Sequence, residues 1–141
     1  MRGQIQSVEV SYLVHATEDR SKIQSAVVAL FGFMGEEKAE VLEGHFGNVI
    51  VHVRHHITGE EAERAFSAMV TKMPSSVRNR LKDEMGKYLD EHSALHVRLD
   101  KQRVLAGELA FADSDAVRVK IKPRLHNMRG GGRSLFQRLL S

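Results

Sequence analysis

The chain has 141 residues, 42% of them hydrophobic and 28% charged, with a formal charge of +3 and no cysteine. That length suits one domain with a real core. The lack of cysteine excludes disulfides and thiolate metal sites and fits a reducing cytoplasmic setting, and no apolar run approaches the roughly 20 residues of a membrane span, so no membrane partner is expected.

Around Gln4 the chain enters alternating residues rather than a continuous apolar stretch, which argues against a signal peptide. Val8, Val10, Tyr12 and Val14 point one way, with Glu9 and Ser11 opposite, which predicts a half-buried strand. Thr17 stands where a helix N-cap would, with Glu18 and Asp19 in the first turn. Ile23, Ala26, Val27, Leu30 and Phe31 follow at helical spacing, and Gly32 and Gly35 end that helix. Residues 39–43 and 49–57 read as strands joined by the glycine-rich Gly44-His45-Phe46-Gly47-Asn48. Thr58-Gly59-Glu60-Glu61 has the form of a capping box opening a helix with the stripe Ala62, Ala65, Phe66, Met69 and Met73. Pro74 breaks it, and a further helix from Ser75 to about Tyr88 buries Val77, Leu81 and Met85. Residues 94–99 and 117–122 are the last strands. A short helical turn lies between them, and Pro123 stops the final one.

The predicted order, β-α-β-β-α-α-β-β, defines an α+β fold, a mainly antiparallel sheet with helices packed on one face. Residues 1–123 form the single domain, and residues 124–141 form a basic tail.

Charge is distributed unevenly. Seven basic residues and no acid fall between Val117 and Ser141, leaving 14 of the 21 basic groups against all 18 acids in the rest. Such asymmetry points to a polyanion partner.

If helices cover the valine-rich face, the other face can be read strand by strand. It carries Glu9, Ser11, Leu13 and His15, then Ile50, His52, Arg54 and His56. The last two strands add His96 and Arg98, and Arg118, Lys120 and Lys122. Cationic donors suit RNA phosphates, and imidazole or guanidinium planes stack on bases. A solvated face without a ligand is the plain alternative, weakened because such a face normally mixes signs.

His52, His55 and His56 invite a metal reading, but strand geometry sets His52 and His56 roughly 13 Å apart and turns His55 away. Zinc needs its nitrogens at about 2.0–2.1 Å from one ion, so no metal is expected, and no cofactor motif is present. A metal-independent ribonuclease using His15, His45 and Lys101 stays open as an alternative to a non-enzymatic protein.

Four short motifs occur in order: Val14-His15-Ala16-Thr17-Glu18-Asp19, Glu43-Gly44-His45-Phe46-Gly47-Asn48, Arg98-Leu99-Asp100-Lys101-Gln102 with Gly107, and Val117-Arg118-Val119-Lys120-Ile121-Lys122. In these the sequence resembles the archaeal proteins described as predicted RNA-binding exosome subunits, whose fold is similar to that of large-subunit ribosomal protein five. The resemblance implies RNA binding, RNA processing or degradation, and exosome subunits as partners. Read with it, His15 with Thr17, His45 with Asn48, and Lys101 with Gln102 supply donors for phosphate and base edges at one end of the sheet. Capping and turn geometry are the bland alternative for the same residues.

The tail adds Arg124 and a glycine run, Gly130-Gly131-Gly132, read as flexible. A short helix capped by Ser134 follows, with Leu135, Phe136, Leu139 and Leu140 on one face. Too short to hold alone, it needs its own domain, a second copy in a homodimer, or an assembly partner as a surface.

Overall fold

The computed structural model describes residues 3–43, 47–124 and 131–141. Its strands are β1 (Ile5–Val14), β2 (Glu36–Glu43), β3 (Val49–Thr58), β4 (Leu95–Asp100) and β5 (Ala116–Pro123). The helices are α1 (Arg20–Phe31), α2 (Gly59–Lys72), α3 (Ser75–Asp83), α4 (Met85–Tyr88), α5 (Lys101–Leu105) and α6 (Gly131–Leu139). The strands form one antiparallel sheet in the order β2-β3-β1-β5-β4. The α+β class and the antiparallel pairing follow the alternation in the sequence.

β1 is the central strand. Its Val8, Val10, Tyr12 and Val14 are buried beneath the helices, with Val53, Ile57, Leu95, Val97, Leu99, Val117, Val119 and Ile121 from its neighbours. α1 and α2 supply Ile23, Val27, Phe31, Phe66 and Met69 to the same core. His55 also faces inward, fully buried, with its Nε2 2.8 Å from the Tyr12 hydroxyl. Burial depresses the His55 pKa, and burial beside Glu37 pushes Tyr12 up to about 12.

Several local expectations are corrected. Asp19, not Thr17, caps α1, its carboxylate accepting from the Ser21 amide at 2.9 Å; Thr17 is exposed in the preceding turn. The reason is one of register: helical geometry begins only at Arg20, so the capping position falls at Asp19. Thr58 holds the N-cap position of α2 but makes no side-chain cap bond. The helix foreseen from Ser75 to Tyr88 breaks at Glu84, which leaves helical geometry (φ −112°, ψ 31°). β2 begins at Glu36, three residues early. Val41 (70% exposed) and Val49 (54%) overshoot the helical layer, so the β2–β3 hairpin is not covered there.

The end of the tail is part of the body. Leu135, Phe136 and Leu140 are fully buried, and the Phe136 ring lies 6.0 Å from Phe66. Ser134 sits inside α6 rather than capping it. Gly131 (φ +58°) and Gly132 are seats for this docking, not a tether: a Cβ on Gly132 would stand 2.6 Å from the Ser93 carbonyl oxygen. Among the described residues no helix is long and apolar enough to cross a membrane.

Candidate nucleic-acid interface

Helices on one side leave the other side of the sheet open, and the register can be followed across it. Lys38 faces Arg54, Arg54 faces Ser11, Ser11 faces Arg118, and Arg118 faces Arg98. Four cations and one hydroxyl thus form a single row across five strands, roughly 19 Å long at about 4.8 Å per strand. Two like-charge pairs, Lys38–Arg54 and Arg118–Arg98, stand directly opposite, an arrangement that destabilises a sheet. In bulk water the repulsion is about 1 kcal/mol at 4 Å. Lys38, Arg54, Arg118 and Lys120 have no ion-pair partner among the described residues. Arg98 donates to the Ser114 carbonyl at 3.1 Å.

The next row is mixed: Glu36, His56, Glu9, Lys120, His96. Glu9 therefore lies mid-sheet. Its strand is central, and β2 adds Glu36 and Glu40 to the same face. His96 is anchored, with Nε2 2.7 Å from Asp90 Oδ2, and that hydrogen bond holds the Asp90 carboxyl down at about 2. Lys122, opposite Ser7, and the exposed Arg124, whose amide donates to the Gln4 carbonyl, lie at the far end of the sheet.

At the other end the register gathers the end of β1, the β2–β3 hairpin and the β4–α5 junction. His15 is half-exposed there, Thr17, Asn48 and Gln102 are exposed, and His45 lies outside the described residues. Lys101 differs from its expected role as a free donor. Its side chain is fully buried, and Nζ reaches the Leu13 carbonyl at 2.9 Å, Glu18 Oε1 at 2.8 Å and Asp115 Oδ2 at 2.7 Å. An ammonium has three donors, so none is left for an RNA phosphate or a phosphorane. The short first turn of α5 points this stem inward, where it ties β1, the β1–α1 turn and the start of β5 together. Burial works against the Glu18 carboxylate, but the Lys101 and His15 hydrogen bonds hold its pKa below the usual value. His15, Glu18 and Asp115 have ligand atoms close enough to hold a cation. The cation between the two carboxylates is Lys101's own ammonium.

A family model described as RNA binding matches residues 7–123. The chain belongs to this RNA-binding family. It is 31% identical over 145 residues to the RNA-binding protein PAB1135 of Pyrococcus abyssi, covering 92% of this chain and 90% of that one. Protein MJ0213 of Methanocaldococcus jannaschii is 29% identical over 120 residues, 80% of each. Among solved structures, Mth689 of Methanothermobacter thermautotrophicus, a DUF54 protein, superposes with a TM-score of 0.75 at 26% identity, covering 97% of this chain and 96% of that one.

The segment matched to the RNA-binding family runs from Ser7 to Pro123 and so contains the whole cationic row. α6 lies beyond it. Two residues of the candidate interface escape sequence reading. Lys38 is missed because β2 is placed too late, although Glu36, Lys38 and Glu40 already alternate. Asp115 sits in a connection whose pairing with Lys101 no local pattern announces.

Proposed function

We propose that this chain is a non-catalytic RNA-binding protein of the cytoplasm that holds RNA on the open face of its sheet. The observation that carries this is the cationic row Lys38, Arg54, Arg118 and Arg98, which makes no ion pair among the described residues. Two directly opposed like-charge pairs gain nothing for the fold and acquire a purpose when a polyanion bridges them. Membership of the RNA-binding family and similarity to the RNA-binding protein of Pyrococcus abyssi support RNA as that polyanion. Lys120 and Lys122 extend the footprint, while His52 and His56 offer planes for bases. Thr17, Asn48, Gln102 and Arg124, all exposed, are peripheral donors in this reading.

The resemblance noted in the sequence further suggests work in archaeal RNA processing beside exosome subunits, and a fold akin to ribosomal protein five. Co-purification of RNA and proteins at low salt tests that association. RNA binding itself is tested by titrating a labelled RNA with wild type and with Arg54→Glu/Arg98→Glu/Arg118→Glu across a salt series. Binding to a single strand should weaken with log salt at about −0.7 per phosphate contacted, and the triple variant should lose most affinity. Equal affinity and slope for both proteins would remove the sheet face as the interface.

A further inference from the structure

At the loop end of the open face lies a pocket of about 530 Å³, lined by Ser11, Leu13, His15, Leu42, His52, Ser114, Asp115 and Arg118 among others. Its size falls in the ordinary small-ligand range of roughly 300–1,000 Å³. Three features of its wall narrow the occupant. Its floor is apolar, because Leu13 and Leu42 are each 37% exposed on the open sheet face. An imidazole stands on the strand beside that floor, since His52 is the cross-strand partner of Leu13. Its far wall is acidic: Asp115 and His15 are each about two-fifths exposed, with Asp115 Oδ2 3.9 Å from His15 Nε2.

That wall is stiff. Lys101 behind it ties Asp115 to Glu18 and to the Leu13 carbonyl. With one ammonium against two carboxylates the cluster carries a net negative charge when His15 is neutral. A phosphate would meet repulsion there. A flat, uncharged ring with N–H groups on its edge would find an apolar floor, an imidazole plane and carboxylate and hydroxyl acceptors. Arg118 links the pocket to the cationic row, so a backbone lying on that row brings its next base to the opening.

We infer that this pocket receives one unstacked nucleobase of a single-stranded RNA whose phosphates lie along the Lys38–Arg98 row. The inference rests on the RNA-binding reading above and adds to it the class of RNA, single-stranded, and a subsite for a base. A buried lysine with two acids is an expensive way to hold a rim that apolar residues would also hold. A preorganised acceptor wall gives that expense a function.

The test compares a short single-stranded RNA with the same backbone made abasic throughout. It uses wild type, the pocket variant Leu13→Ser/His52→Ala, and the row variant Arg54→Gln/Arg118→Gln. Both side chains are solvent-accessible, and the ionic cluster uses only the Leu13 backbone carbonyl, which the substitution keeps; thermal melting checks that the variant folds. Base contacts of this kind are worth about 1–3 kcal/mol, so the pocket variant should bind intact RNA about 5- to 150-fold more weakly. Its salt slope should be unchanged, and its affinity for the abasic strand should equal that of wild type. The row variant should weaken both ligands and flatten the slope. If the pocket variant binds intact RNA like wild type, or loses both ligands equally, the base pocket is overturned while the row stands. If wild type binds neither strand, the RNA-binding reading itself fails.

Discussion

Replacing Lys101 by Met removes an ammonium that two carboxylates and a carbonyl depend on while keeping most of the stem's volume. Removing one partner of a fully buried ion pair costs about 3–5 kcal/mol, because the survivor stays charged and desolvated. The cluster is open on one side: the Asp115 side chain is 42% exposed and Glu18 19%. Solvent relieves much of the Asp115 term and little of the Glu18 term, so a loss of about 2–3 kcal/mol at pH 7 is expected. For a chain of this size that corresponds to roughly 6–12 °C in Tm. Urea denaturation at several pH values is the assay. In wild type the Glu18 pKa is lowered on folding, so its contribution is present above the ordinary carboxylate range and is lost as pH falls through the lowered value. In Lys101→Met the stranded acids gain from protonation instead, so the gap between the proteins should narrow from pH 7 to pH 4. A loss below about 0.5 kcal/mol at pH 7, or a constant gap, would show that Lys101 does not hold these carboxylates.

Two further outcomes follow from the fold. Gly132→Ala adds helix propensity of about 0.5–1 kcal/mol but forces a Cβ to within 2.6 Å of the Ser93 carbonyl oxygen, and overpacking costs about 1–3 kcal/mol. A net destabilisation, with faster amide exchange confined to α6, is therefore expected, and unchanged exchange in α6 would refute the docking. The buried His55 has a depressed pKa, so the unfolded chain takes up a proton there below about pH 6.5 while the native state does not, and stability should fall as pH drops from 7 to 5. Tyr12→Phe/His55→Phe removes both polar partners together at small cost and should shrink that slope in denaturation curves. An unaltered slope would assign it to other histidines.

Much of this protein is decided locally. The alternation of Val8, Val10, Tyr12 and Val14 against Glu9, Ser11 and Leu13 sets which face of β1 is buried, because side chains on a strand repeat every two residues whatever lies beside it. The same holds for Arg54, Arg98, Arg118 and Lys120, so the cationic face was legible from one dimension. Strand order was not. Only the assembled order β2-β3-β1-β5-β4 lines Lys38, Arg54, Arg118 and Arg98 into one row and sets Glu9 at the middle of the neighbouring row. Burial of single polar groups was equally out of reach. Lys101 and Asp115 meet through a β4–β5 connection, and Gly132 meets Ser93 across 39 positions of chain. Such encounters are properties of packing between distant segments, and a local pattern of residues carries no record of them.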